Sequence, residues 1–407
     1  MPWWALWWRA VVSEPLGLAA CACQTPSARG RRFNEAPAPT RNDFQRDRDR
    51  VIHSTAFRRL VYKTQVFVNH EGDLFRTRLT HSIEVAQLGR SIARSLRLNE
   101  DLVEAISLAH DLGHTPFGHA GQEALNSCLV ADPPALGEPP VSGHAPAHGF
   151  EHNLQSLRVV DELEERYPQF NGLNLCFETR EGILKHCSQA NARWLEGLEP
   201  GGVGQRFLLG QRPSLEAQLC NLADEIAYNA HDVDDGVRSG LLTLDMLESV
   251  PLFRLHQRDT LAEHPRLAGR RLLFETIRRM LSAQVYDVIR ASQEAMARSG
   301  VSSPDEVRLA PPQVVFSKEM AALSQGLKSF LLNALYRHPQ VMATTGKARA
   351  VVSGLYRVYR DNPAEMKAGA WVEGRPVQRA VADYIAGMTD RFATREHQRL
   401  TGEVAFA

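Results

Sequence analysis

His110-Asp111-Leu112-Gly113-His114-Thr115-Pro116-Phe117-Gly118-His119 sets three imidazoles and a carboxylate within ten residues. A helix-period stretch leads into it, and Gly and Pro punctuate it. Neighbouring residues on a helix lie about 100° apart around its axis, so His110 and Asp111 converge only if something sits between them. Imidazole and carboxylate together suit a divalent ion such as Mn, Fe, Zn, Ni or Mg. A solvated helix end is the plain alternative, and the sequence on either side weighs against it.

Upstream, Val103, Ile106 and His110 follow i, i+3, i+7, so His110 lies on the buried stripe of its helix, with Gly113 placed to terminate it. Further back, His81, Val85, Leu88 and Ile92 put His81 on another inward face. A lone inward histidine is most often a satisfied core residue. Two on successive helices, one beside an aspartate, read as ligands. Downstream, Leu215, Leu219, Leu222 and Ile226 form the core face of a helix with Pro213 at its first position. A second face of that helix gathers Asp224, Tyr228, His231 and Asp232. Burying such a stripe is costly unless it binds something.

These periodicities predict an all-α protein. A helical bundle over 43–250 carries the cluster, a C-terminal helical region over 251–407 packs on it, and residues 1–42 form a disordered extension. Further helices are expected over 179–189, 270–296, 318–336, 345–359 and 377–392. The strand signal is limited to one small hairpin at Tyr167–Phe177, where Leu173 and Leu175 alternate. Asn69–Asp73 reads as a turn, and the Pro/Gly-rich stretch 131–149 as a lid or insertion. Met1–Cys23 carries four tryptophans, but Arg9, Glu14 and Pro15 interrupt its apolar run and no basic segment precedes it, which is unlike a secretory signal. No stretch approaches the ~20 apolar residues of a membrane span.

Lys+Arg and Asp+Glu are both 47, so no net charge draws the chain to nucleic acid or membrane. The six cysteines show no CxxC spacing and read as reduced thiols of a cytoplasmic protein. Basic residues at 29–32 and 46–59 lack interleaved aromatics, which weakens a single-stranded DNA platform. No GxxxxGK[ST] phosphate cradle is present.

His81, His110-Asp111 and Asp224, in that order, resemble the signature of the HD-domain metal-dependent phosphohydrolases. Arg76-Thr77-Arg78-Leu79-Thr80-His81-Ser82, the decapeptide, Phe150-Glu151-His152-Asn153 and Ala223-Asp224-Glu225-Ile226-Ala227-Tyr228 narrow the resemblance to the deoxyguanosine-triphosphate triphosphohydrolase family. So do His231-Asp232-Val233-Asp234-Asp235 and Asp383-Tyr384-Ile385-Ala386-Gly387-Met388-Thr389-Asp390-Arg391. The match runs from about Arg41 to Phe392.

This resemblance implies an HD-domain helical bundle and hydrolysis of a dNTP to deoxynucleoside and inorganic triphosphate, breaking the bond between the α-phosphorus and the 5′ oxygen. It implies a divalent metal ion (Mn, Mg, Fe or similar) held by His81, His110, Asp111 and Asp224, and a homo-oligomer open to allosteric dNTP. His119 resembles the general acid, with a nucleophilic role as the alternative. His114 and His152 would lie against the α-phosphate and Arg78 on phosphate oxygens. Gln65 and Asp232 would meet the 3′ hydroxyl, with Tyr228 under the sugar at C2′. The relatives carry an acidic residue three positions after the His119 equivalent. Here Gln122 stands there, and it can orient an imidazole without stabilising its cation by charge. Two other functions compete: a different HD nucleotide phosphohydrolase such as a 5′-nucleotidase, and a non-catalytic nucleotide-sensing or single-stranded-DNA-binding relative.

Overall fold

Each helix around the cluster begins where the sequence supplies a cap. Asn42 accepts from the Gln45 backbone N–H at the start of α1 (Asp43–His53), and the Gln45 side chain returns the bond. Thr77 and Thr80 do the same for α2 (Arg78–Leu96), and Asn99 caps α3 (Glu100–Ala109). In this computed structural model the described residues are 17–65, 75–132, 149–367, 369 and 376–406. The other main helices are α4 (Gly118–Ala131), α5 (His152–Arg158), α6 (Phe177–Ile183), α7 (Leu215–Arg238), α8 (Pro251–Glu263) and α9 (Gly269–Ser299). α10 (Lys318–Leu331), α11 (Pro339–Asp361), α12 (Val377–Ala386) and α13 (Asp390–Thr401) complete the set, with shorter helical turns between.

The fold is all-α. Among the described residues, β-pairing is confined to three isolated bridges. The expected hairpin at Tyr167–Phe177 reduces to one of them, Tyr167–Phe170. Leu173 and Leu175 are both fully buried, in one cluster with Val51, Leu60, Leu108 and Leu112. Backbone groups there are satisfied by arginine side chains and by a single bridge from Cys176 to Arg31, not by a hairpin partner. Arg50 Nη1 donates to Leu173 O at 2.8 Å and Arg31 Nη1 to Asn174 O at 2.6 Å.

Two cores bracket the site. One joins α2, α3, α7 and α9 through Ile92, Leu102, Ile106, Leu219, Ile226 and Val288. The other joins α4 to α11, α12 and α13 through Leu125, Leu355, Tyr359, Val381, Ile385 and Ala393, and takes in Phe117 and Phe150.

Residues 17–42 differ from the expected disorder. Cys21, Ala22 and Cys23 are buried in the first core, the Cys23 N–H donates to Glu216, and Arg31 is ion-paired to fully buried Asp47. Long-range partners order a stretch whose own composition reads as flexible.

Pro213 lies one residue before the Ser214 cap rather than inside α7, and α6 ends at Ile183. The single helix expected over 377–392 is two, broken at Gly387–Thr389 where Thr389 caps α13. The 69–73 turn, most of the 131–149 stretch and residues 1–16 lie outside the described residues. Among the described residues no helix is long and apolar enough to cross a membrane.

Candidate metal and phosphate site

α2 begins at Arg78, which places His81 one turn in and on the buried face with Val85. α3 ends at Ala109. His110 is its C-cap and Asp111 lies just beyond it. His110 keeps helical backbone angles (φ −60°, ψ −31°) and Asp111 opens the turn that follows, with His110 Nε2 3.2 Å from Asp111 Oδ1. Ligand atoms of His81, His110 and Asp111 all lie within 4.8 Å of one another. From α7, Asp224 Oδ1 closes in to 2.8 Å from His81 Nε2 and 3.7 Å from His110 Nε2.

His110 tests whether this donor set fits a cation. Its Nδ1 is 2.7 Å from Ser107 O; a carbonyl only accepts, so Nδ1 carries the proton and Nε2 presents a lone pair. That Nε2 is buried and has no hydrogen-bond partner, yet it faces a carboxylate oxygen. Two acceptors meeting in a buried space are unfavourable unless positive charge joins them. Burial also pushes the His110 pKa down, keeping the ring neutral as a ligand must be. Burial alone would raise the Asp111 carboxyl, but His110, Arg78 and His114 hold it well below the usual carboxylate range. Lys185, His110 and His81 do the same for Asp224. His81, His110 and Asp111 are grouped as ligands of a divalent ion would be, and Asp224 lies against the two histidines.

Beside this group stands a wall of three imidazoles. His114 stacks on His152 with centroids 4.0 Å apart, and His119 meets His114 edge-on at 5.5 Å. Burial lowers the pKa of all three, that of His152 to about 3. His119 keeps the most solvent contact of the three. Gln122 Oε1 accepts from His152, at 2.7 Å from Nδ1, so this glutamine orients His152 and not the expected His119.

Glycine is required twice in the turn. A Cβ on Gly113 would fall 2.1 Å from Ser156 N and 2.4 Å from His152 O. Its task is therefore the close approach of α5, more than helix termination. Gly118 sits at φ +58° with the Arg78 guanidinium 3.0 Å from where its Cβ would be. Arg78 Nη1 donates to Asp111 Oδ2 at 2.8 Å, so Arg78 links the ligand group to the imidazole wall.

The remaining expected residues carry unmet polar atoms. Gln65 Oε1 is buried without a partner, as are both carboxylate oxygens of Asp232, which is wholly buried. Burial and nearby Asp235 push the Asp232 carboxyl well above its ordinary range, against Arg76. Tyr228, one turn before Asp232 on α7, stacks on Tyr336 at 6.2 Å, whose hydroxyl is also buried and unpartnered.

Sequence reasoning placed His231 on the ligand-bearing stripe but missed three contributors, Lys185, Glu84 and Tyr336. Lys185 Nζ lies 2.5 Å from Asp224 Oδ2. Behind His81, His231 Nδ1 is 3.2 Å from its Nδ1, and Glu84 holds the far nitrogen of His231. Tyr336 arrives from a π-helical turn at Leu332–Tyr336. A lysine just past a short helix and a tyrosine in a distant turn have no periodic signal. The i, i+3 spacing of His81 and Glu84 was the available clue.

Comparison with known proteins points the same way. Residues 78–229 match the HD domain, and 314–399 match the phosphohydrolase-associated domain. Curated relatives similar over most of this chain carry the name deoxyguanosinetriphosphate triphosphohydrolase-like protein. That of Ralstonia pickettii is 57% identical over 385 residues, covering 94% of this chain and 94% of its own. That of Thiobacillus denitrificans is 57% identical over 391 residues, covering 95% and 98%. That of Azoarcus sp. is 54% identical over 396 residues, covering 97% and 99%.

Proposed function

This chain belongs to the deoxyguanosinetriphosphate triphosphohydrolase-like family, and on that premise we propose that it hydrolyses deoxynucleoside triphosphates to deoxynucleoside and inorganic triphosphate. The observation that carries this reading is the buried lone pair of His110 Nε2 facing Asp111, set directly beside Arg78 and three imidazoles. A cation site flanked by cationic and neutral donors suits a polyanion whose reacting phosphorus must shed charge.

His81, His110, Asp111 and Asp224 would hold a divalent ion. Such an ion neutralises charge at the phosphoryl group and makes a water a stronger nucleophile. Arg78 has its fork at the border between the ligand group and the imidazole wall, where it can bind phosphate oxygens. Water adds to the α-phosphorus, the bond to the 5′ oxygen breaks, and that oxygen leaves with a proton. His119 supplies the proton. Burial lowers its pKa in the free protein, and the charge of a bound triphosphate acts in the opposite direction. One positioned acid contributes about 10²–10⁴-fold.

At the sugar end, the unpartnered oxygens of Asp232 and Gln65 await hydroxyl donors. The Tyr228 ring, backed by Tyr336, would pack under C2′ and exclude a ribose hydroxyl. Chromatography after incubation with each of the four dNTPs in Mg²⁺ and in Mn²⁺ tests the reading. Equimolar triphosphate and deoxynucleoside are expected; orthophosphate or pyrophosphate as product would assign the chain to a different HD reaction.

A further inference from the structure

The turn that carries His114 and His119 is held in place by residues from the two ends of the chain. Asp390, the first residue of α13, is wholly buried. Its Oδ1 accepts the Phe117 N–H at 2.9 Å, and its Oδ2 accepts the Thr64 N–H at 2.9 Å together with the Thr64 hydroxyl. Next to Thr64, the fully buried Lys63 donates from Nζ to His114 O at 2.5 Å and to Ala386 O, at the end of α12, at 2.7 Å.

Phe117 needs such a restraint. It is a non-glycine residue at φ +62°, immediately before α4, with no side-chain cap of its own there. Residues in that backbone region persist only where their surroundings over-determine them. Its ring stacks on Phe406 near the C-terminus at 5.6 Å and belongs to the core shared by α4 and α11–α13. The backbone on either side of the Thr115–Pro116 corner is thus fixed at two points, His114 O and Phe117 N. Both are bonded to a side chain that also binds the opposite partner segment.

We propose that Asp390 and Lys63 are positioning residues that couple the C-terminal helical region to the turn bearing His114 and His119. The conformation of that region then sets turnover without touching the metal ligands. The kinetic half of this proposal rests on the phosphohydrolase reading; the structural half does not. The ligands His81 and Asp224 stand on α2 and α7, His110 is held by Ser107 and Ser156, and Asp111, which His114 approaches to 3.4 Å, is held separately by Arg78 at 2.8 Å, so the ligands keep supports of their own when the clamp is released.

The test compares the full-length wild type with Asp390→Asn and Lys63→Met. Asparagine turns an amide donor toward one of two N–H donors, and methionine removes both carbonyl bonds while filling the same buried space. Bound Mn²⁺, thermal midpoint, backbone amide exchange across 114–119 and steady-state dNTP kinetics are measured on each. The expected result is wild-type Mn²⁺ content, faster exchange at 114–119, and kcat lower by about 10²-fold with KM little changed. Wild-type kcat and exchange in both variants would overturn the proposal. So would a loss of the thermal transition in both, which would mark the cluster as purely structural. Should Asp390→Asn alone fail to fold, Lys63→Met carries the comparison, because methionine keeps the side-chain volume and removes a cation whose burial is unfavourable. Should the wild type release no triphosphate, the functional reading fails while the exchange measurement still decides the coupling.

Discussion

At the scale of single residues, the cluster separates into groups whose polar atoms are satisfied within the chain and groups whose atoms are not. His110 Nε2, Gln65 Oε1 and the Asp232 carboxylate belong to the second kind. Leaving buried polar atoms unpaired costs stability, roughly 1–3 kcal/mol for each group, and a ligand would recover it. Asp232→Leu should therefore leave the thermal midpoint equal or higher, while KM for dNTPs rises about tenfold or more for the lost hydroxyl contact. A lower midpoint with unchanged KM would mean the carboxylate has an internal role. His110→Ala should lose both metal and turnover, read by elemental analysis beside the activity assay; retention of metal-dependent activity would sink the ligand assignment. Tyr228→Ala should admit ATP and GTP, and hydrolysis of neither would count against its place under the sugar. Most of this group was visible in the sequence because imidazoles and carboxylates on apolar stripes are anomalous in themselves. Lys185 was invisible: a lysine past a helix end looks solvated until its contact with Asp224 is seen.

At the scale of elements, the turn from His110 to His119 depends on backbone proximity more than on propensity. α5 lies so close that the Gly113 N–H donates to Ser156 Oγ at 2.9 Å, and the same hydroxyl donates to His110 O at 3.0 Å. Gly113→Ala would drive a methyl into the α5 backbone, at a cost of roughly 1–3 kcal/mol or more. A chemical-denaturation midpoint equal to wild type would contradict that packing. The helices of the site were legible from their apolar period, though their caps were not read. The break between α12 and α13 was not, although Thr389-Asp390 has the form of a cap followed by an acidic first turn. Apolar residues continuing on both sides of Gly387 hid it. The Leu173–Leu175 alternation misled in the opposite sense, because this stretch is met by arginine side chains and one bridge to Arg31 and not by a hairpin strand.

At the scale of the whole molecule, the N-terminal lead-in and the C-terminal helices both reach the core that supports the site. The packing of the C-terminal region was expected and the ordering of the lead-in was not; the contacts that make either connection were not legible, since each depends on partners more than a hundred residues away, such as Cys23 with Glu216 or Thr64 with Asp390. Lys63 makes the second connection measurable. Burial pushes its pKa from 10.5 down to about 7. Between those values the unfolded chain binds the proton and the folded chain does not, so stability rises with pH across that window. The penalty is fully present below about pH 7 and is relieved as pH approaches 10.5. Wild type should accordingly gain stability relative to Lys63→Met from pH 7 to 10, in paired denaturation curves. A pH-independent difference would place Lys63 in a more polar setting than the two carbonyls provide.

Attack at the α-phosphorus is the central claim, and the fate of water oxygen tests it most directly. Turnover of a dNTP in H₂¹⁸O, followed by mass spectrometry of the products, should place one label in inorganic triphosphate and none in the deoxynucleoside. Label in orthophosphate or pyrophosphate, or on the nucleoside 5′ hydroxyl, would contradict the account.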